Sequence, residues 1–373
     1  MKYYIIAGEA SGDLHASNLI RELRQKDPEA EFRAWGGDLM QEQGATLVKH
    51  IKELAFMGFV EVLLNLRTIL RNIRLCKDDI AEWNPDVLIL VDYPGFNLRI
   101  ARWARKNGRK VFYYISPQIW AWKQNRAYKI KEDVEKMYVI LPFEKDFYRR
   151  FDMEVDFVGH PLLDAVKQFR DQRMPTEAFR QTYGLSDKPI VALLPGSRKQ
   201  EISKMLPLFA QMQDRFSDYQ FVLAGAPSQT KEYYESVLGG KKIPIISGET
   251  YRLLMHAEAA LVSSGTATLE TALFNVPEVV CYKGGWLSYY IARMLVKVSY
   301  ISLVNLIVDR EIVKELIQGE LNSKNLETEL TAVLPGGNKR DQLLKDYEEL
   351  REKLGGSGAS EITASRMLKT LKG

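Results

Sequence analysis

"IIAGEASGDLH", residues 5–15, carries a short apolar run into two glycines flanked by acids and then into a helical pattern. The run belongs to a strand, "KYYIIA", and Leu14, Leu19, Ile20 and Leu23 fall on one face of a helix closed by Asp27-Pro28. A strand that turns tightly into a helix begins a βα unit, and such turns often hold a nucleotide. Neither nucleotide signature is here. Gly8 and Gly12 do not fit G-x-G-x-x-G, and no G-x-x-x-x-G-K-[ST] run follows. Glu9 and Asp13 would also repel a pyrophosphate. The loop is either a plain turn or a device that shapes a site for something else.

The same alternation runs along the chain. "EFRAW", "DVLILVD", "KVFYYIS", "KMYVIL" and "VDFVG" are strand-like, with helical patterns between them. Continuous apolar strands such as "DVLILV" suit a parallel sheet covered on both faces. After "GHPL" the polar stretch "DAVKQFRDQRMP" reads as an interdomain linker, and the alternation restarts with "PIVALLP", "QFVLAG", "IPIIS", "AALVSS" and "EVVCY". The expected division is 1–162, 163–340, and a helical tail over 341–373 that packs back on the first domain.

Bulk properties narrow the field. The 373 residues carry a net charge of only +4 and are 46% hydrophobic, so a soluble globular chain is expected and global charge implies no nucleic acid. Charge is uneven, however: ten Lys or Arg and no Asp or Glu fall between Arg99 and Lys131, which favours an anionic partner or a solvated helix face. Cys76 and Cys281 offer no metal spacing and no disulfide framework, which fits a reducing cytoplasm. No signal peptide and no membrane-spanning run are seen. Asp78-Asp79 lies in a helical pattern and reads as a solvated pair, so no metal-binding DxD is expected.

Ligands of open α/β sheets lie beyond the carboxyl ends of strands. In the second half, "IVALLPGSRKQEI" (190–202) places Gly196, Ser197 and Arg198 there, and Arg198 has the planar fork that suits phosphate. In "ALVSSGTATLETA" (260–272), Ser264, Gly265, Thr266 and Ala267 open a helix whose free N–H groups favour an anion. Glu270, a turn later, suits two ribose hydroxyls. Two such loops on one sheet point to a nucleoside diphosphate held without a metal. In the first half, Asp92 ends "DVLILVD" as a candidate general base or a turn aspartate. Trp120 and Trp122 interleave with Lys123 and Arg126, as an amphiphilic phosphorylated ligand or a core would require. His160, in "GHP", reads as a hinge or turn residue. "FMGFVEVLLNLRTILRNIRL" (56–75) sets Phe59, Leu63, Leu66 and Leu70 at helical spacing with Arg67 and Arg71 opposite, either a core-packed helix or one that touches a membrane surface. "GGWLSYYIARMLVKVSY" (284–300) has the same character.

Taken together, "AGEASGD", "ELAFMGFVEVL", "SPQIWAW", "LPFEKDFY", "LLPGSR", "SSGTATLE" and "SYISLVNLIVDREIVKELIQ" resemble, in order, the lipid-A-disaccharide synthases of Gram-negative bacteria. The resemblance implies a GT-B fold, two Rossmann-like parallel-sheet domains facing each other across a cleft. It implies an inverting, metal-independent transfer with no cofactor, from UDP-2,3-diacylglucosamine to 2,3-diacylglucosamine 1-phosphate. The donor is expected in the second domain, near Asn305 of "LVNL" as well. The acceptor is expected in the first, beside Glu9, Ser11, Gly12, Asp13, Trp120, Trp122 and Arg126. Asp92 and Arg198 would be the catalytic pair. A cytoplasmic enzyme at the inner-membrane surface follows, with a homodimer allowed. Many members read "DAPDFN" where this chain has "DYPGFN", so Gly95 removes one candidate base. The alternatives are a GT-B-fold UDP-N-acetylglucosamine 2-epimerase, which needs no lipid surface, and a peripheral nucleotide- or RNA-binding protein.

Overall fold

The computed structural model describes residues 1–54, 66–171, 174–285 and 298–373. Two compact units emerge, Met1–Pro161 with Gly355–Gly373, and Leu162–Leu354. The first is built on a parallel sheet of seven strands: β1 (Lys2–Ala7), β2 (Glu31–Gly36), β3 (Thr46–His50), β4 (Val87–Val91), β5 (Val111–Tyr114), β6 (Lys136–Val139) and β7 (Asp156–Phe157). Their order is β3-β2-β1-β4-β5-β6-β7. The second unit carries six parallel strands: β8 (Ile190–Leu194), β9 (Gln220–Gly225), β10 (Ile245–Ser247), β11 (Ala257–Ser263), β12 (Glu278–Tyr282) and β13 (Lys314–Ile317). They run β10-β9-β8-β11-β12-β13.

Ten helices concern the site and its support. They are α1 (Ala10–Lys26), α2 (Asp38–Glu42), α3 (Leu66–Trp83), α4 (Pro94–Lys106), α5 (Arg126–Asp133), α6 (Lys199–Gln211), α7 (Thr266–Leu273), α8 (Leu303–Val308), α9 (Arg340–Lys353) and α10 (Ala359–Lys372). In the first sheet the chain leaves β1 toward β2 and leaves β4 toward β5, in opposite directions. β1 and β4 are nonetheless neighbours, in register from Tyr3–Val87 to Ala7–Val91. β8 and β11 stand in the same relation in the second sheet. Diverging crossovers open a crevice at the carboxyl ends of such a pair, where open α/β sheets bind ligands. Strands β1, β4, β8 and β11 are almost wholly buried, as the apolar runs required.

Two strands were not anticipated, β3 and β13. Each is an edge strand with polar or charged residues, "TLVKH" and "KELI", so neither shows an apolar run. The supposed linker is also structural. Residues Leu162–Asp171 form a helix of the second unit, where Phe169 meets Tyr251 edge-on and Arg170 donates to the Leu273 carbonyl at 2.9 Å. Its polar outer face had concealed an apolar inner one. The chain's last helices divide: α9 lies in the second unit, its buried Tyr347 donating to Val276, whereas α10 packs on α1 in the first.

Asp79 is no solvated residue. It accepts from the Tyr4 hydroxyl at 2.7 Å and from Arg33, and Tyr4 in turn accepts from the buried Trp35 indole at 2.9 Å. This network ties α3 to β1 and β2. Leu70 is not on the apolar side of its helix either. It is 54% exposed, on the same outer surface as Arg67, Arg71, Arg74 and the 43% exposed Leu75, while Ile73 and Cys76 turn inward. Phe59 and Leu63 lie outside the described residues, as do 286–297, and the side chain of Leu66 is not described.

Asp79→Ala should therefore lower stability by roughly 1–3 kcal/mol, because it strands the Tyr4 hydroxyl and Arg33. Chemical denaturation checks this; a loss within error would mean the network contributes nothing.

Candidate active site

The crevice of the first unit begins with strained backbone. Asp92 and Tyr93, just past β4, have φ of +44° and +48°, and Ile115, just past β5, has +63°. Left-handed conformations at non-glycine residues cost of order 1–3 kcal/mol each and persist only where neighbours enforce them. Here Asn97 does so. Its side-chain amide donates to the Ile6 and Val91 carbonyls at 3.3 Å and to the Asp92 carbonyl at 2.8 Å, while Tyr113 donates to the same Asp92 oxygen at 2.5 Å. Gly8 supplies the remaining space, since a Cβ there would fall 2.3 Å from the Tyr93 ring.

The Asp92 carboxyl is raised to about 6, first by burial and then by the negative charge of Glu9. A carboxylate that titrates near neutrality is suited to accepting a proton. Glu9, the N-cap residue of α1, and Ser11, in its first turn, are exposed, whereas Gly12 packs on Ala7. Asp13 is already engaged. Its oxygens accept from the backbone N–H groups of Gly37 at 2.7 Å and of Leu39 and Met40 at 3.2 Å, which caps α2 and leaves no acceptor-binding role evident. The paired tryptophans separate as well. Trp120 is buried, edge-on to Phe143, so it is a packing residue; Trp122 is 47% exposed, with Lys123 Nζ 4.1 Å and the Arg126 guanidinium 5.8 Å from its ring. His160 and His15 are both buried, and burial holds them neutral, with pKa values near 3 and 4.

The second unit presents its two loops at the β8/β11 crevice. Gly196 has φ +94°, and a Cβ there would lie 2.5 Å from a Glu201 oxygen and 3.3 Å from Ser263 Oγ. Arg198 is exposed at the start of α6 and pairs with Glu201 at 3.2 Å. Beyond β11, Ser264 donates to the Ile301 carbonyl at 2.8 Å. Gly265 then adopts φ 156° and ψ −162°, a combination that is essentially glycine's alone. Thr266 and Ala267 follow in the first turn of α7, where N–H groups have no intrahelical partner. Glu270 Oε1 accepts from Tyr251 at 2.7 Å, and burial raises its carboxyl.

Asn305 is corrected by its surroundings. It is fully buried, its amide donates to Val313 and Glu315, each at 2.9 Å, and its oxygen accepts from Ile312 and Val313 at 2.8 and 3.0 Å. No polar atom is left for a ligand. It serves instead in a knot around Glu315, which also receives the N–H groups of Ile301 and Ser302. Ile301 is the partner of Ser264, so the knot positions the donor-type loop from behind. Sequence reasoning missed Asn97, Tyr251 and Glu315. A lone glutamate inside "KELI" was the available signal, because a buried carboxylate needs several donors. Among the described residues no group of three or more His, Cys, Asp or Glu is arranged for a metal ion, and no helix is long and apolar enough to cross a membrane.

The family model for lipid-A-disaccharide synthetase matches residues 3–369. The chain belongs to the lipid-A-disaccharide synthase family. It is 40% identical to the lipid-A-disaccharide synthase of Syntrophus aciditrophicus over 99% of this chain and 97% of that one. Its function is accordingly that of a glycosyltransferase in lipid A synthesis. Among solved structures, the UDP-GlcNAc 2-epimerase of Neisseria meningitidis bound to UDP-GlcNAc aligns with a TM-score of 0.71, at 13% identity, over 99% of this chain and 100% of that one. The glycotransferase of kitacinnamycin aligns at 0.65, with 14% identity and 99% of both chains covered. These likenesses show the GT-B type of fold, and the family match separates the synthase from the epimerase reading.

If Asp92 is the base, kcat/KM should fall on the acid side with an apparent pKa near 6, since only the ionised form accepts a proton. Glu9→Gln removes a charge that opposes ionisation, so the acid limb should move to lower pH yet stay above the ordinary aspartate value, because burial is the larger cause. A limb that does not move in Glu9→Gln would separate the two carboxylates.

Proposed function

We propose that the chain transfers 2,3-diacylglucosamine from UDP to the 6-hydroxyl of 2,3-diacylglucosamine 1-phosphate, with inversion, giving the β(1→6) tetraacyl disaccharide 1-phosphate and UDP. The observation that carries this reading is the division of chemistry between two crevices of one family member. The first ends in a carboxylate poised near pH 6. The second ends in an arginine and a helix N-terminus, which suit a diphosphate.

The acceptor hydroxyl attacks the anomeric carbon as its proton passes to Asp92. The bond from that carbon to the UDP oxygen breaks, and its electron pair leaves with the diphosphate. Arg198 and the first turn of α7 stabilise that growing negative charge, with Gly196, Ser197, Ser264, Gly265, Thr266 and Ala267 lining the approach, and no metal is assigned a part. Glu270 would use Oε2 toward the ribose, since Tyr251 occupies Oε1. Glu9, Ser11 and Trp122 remain on the acceptor side. Association with the inner-membrane surface is supported by the outer face of α3, where Leu70 and Leu75 stand among Arg67, Arg71 and Arg74.

Incubation with both substrates and mass analysis of the product tests the reaction; UDP release without a tetraacyl disaccharide 1-phosphate would sink it. Arg198→Ala should lower kcat by about 10²–10³ while the fold survives, because the side chain is exposed and acts on charge that develops late. Leu70→Gln with Leu75→Gln should leave a folded enzyme that no longer sediments with anionic vesicles. Retained sedimentation would move the lipid contact elsewhere.

A further inference from the structure

Beside the strained end of β4 lies a concavity of about 290 Å³ between α4 and α5. Pro94, Gly95, Leu98 and Ile130 line it together with four cations, Arg99, Arg102, Arg126 and Lys129. None of these four cations forms an ion pair among the described residues, whereas Arg105, on the same helix as Arg99 and Arg102, pairs with Glu135. Asp133 is the one acid in the lining, and burial raises its carboxyl. A solvated charge run would spread its cations over convex surface. Here two helices, separated by a strand in sequence, bring them to one hollow.

We propose that this hollow binds the phosphomonoester of the acceptor, an inference that rests on the acceptor reading above. Two observations select the ligand. The volume lies at the small end for ligand pockets and suits a charged group on a sugar. The position is right too. Consecutive Cα atoms are about 3.8 Å apart, so Asp92 and Pro94 lie within roughly 7.6 Å, a distance that one sugar ring with its substituents can span. A phosphate anchored here holds the far end of the acceptor while Asp92 meets its hydroxyl. Tyr128, exposed on α5, and Trp122, exposed just before that helix, offer aromatic surface to the acyl-bearing side. Gly95 bears on the same point. As a glycine, it adds no charge and no side chain to the lining of the hollow.

Two full-length variants test the assignment without disturbing the core. Arg102→Gln/Lys129→Gln removes two exposed charges. Gly95→Asp places a carboxylate where an added Cβ meets nothing within 4 Å. Calorimetric titration with glucosamine 1-phosphate and with glucosamine reads the hollow with no turnover involved. The wild type should prefer the phosphorylated sugar, and both variants should lose roughly ten- to a hundredfold in affinity for it. In the transferase assay the same loss should appear in KM for the 1-phosphate acceptor, not for an acceptor lacking the phosphate, and the donor KM should not move. Equal binding of both sugars by the wild type, or unchanged affinity in both variants, overturns the proposal. So does a loss confined to phosphatidylglycerol over phosphatidylcholine vesicles with acceptor KM unchanged, which would make the hollow a reader of membrane headgroups. If the wild type binds glucosamine 1-phosphate as expected but forms no disaccharide, the reaction falls and the anion site stands.

Discussion

The side-chain amide of Asn97 reaches the carbonyl groups that end two adjacent strands, β1 and β4, and the one that follows. The first unit's chemistry depends on this contact. Strand ends at a crevice leave carbonyls without ladder partners, and they also leave the backbone free to choose its direction. One buried amide answers both needs at once: it satisfies the carbonyls and holds Asp92 and Tyr93 in a conformation that they would not choose alone. The turned backbone then sets the Asp92 carboxyl in a partly dry place beside Glu9, where its affinity for a proton is raised. The strain, the burial and the like charge are three results of a single local arrangement. Gly8 belongs to it as the absence of a side chain, because Tyr93 needs the space.

The second unit meets the same topological situation with different means. Its crevice has backbone N–H groups and an arginine where the first has carboxylates, and its supporting knot is anionic where the first unit's clamp is neutral. Glu315 gathers N–H groups from Ile301 and Ser302 and the amide of Asn305, and Ile301 in turn receives the Ser264 hydroxyl. A carboxylate buried away from its own cationic partners is stable only with several donors aimed at it. The result is a loop beyond β11 that is hydrogen-bonded from behind, with Gly265 and Thr266 left exposed in front.

Most of this could be read from the chain. Eleven of the thirteen strands were apolar enough to stand out, and the loops after β4, β8 and β11 were singled out because glycine, serine, aspartate and arginine are unusual directly after buried runs. Of the four edge strands, β7 and β10 were legible, but β3 and β13 were not, because their exposed margin tolerates the charged residues of "TLVKH" and "KELI". Roles were harder than places. Asp13, Trp120 and Asn305 sit in the quoted motifs, yet their polar atoms or rings are taken up by backbone and core. A motif preserves whatever positions a site as well as whatever touches the ligand, and sequence spacing does not separate the two. Partnership does, and only coordinates give it. The helix α3 shows a further limit: spacing predicted an apolar and a basic side, but the sheet beneath it decides which leucines turn outward.

The final helix carries a consequence for how the protein comes into being. Residues 355–373 return to the first unit, where Ala359, Thr363, Ala364 and Met367 are buried, Lys26 pairs with Glu361 and Arg366 with Asp156. On the ribosome, all seven strands of the first sheet emerge long before the helix that covers α1. The second unit, by contrast, is continuous in sequence and has all of its parts once Leu354 is out. The earlier-made half is thus the later-completed one, and its uncovered apolar surface waits through the synthesis of an entire neighbour. Nascent chains in that interval are the natural clients of chaperones, and a stop codon just before Gly355 would leave every strand in place and still yield an unfinished protein.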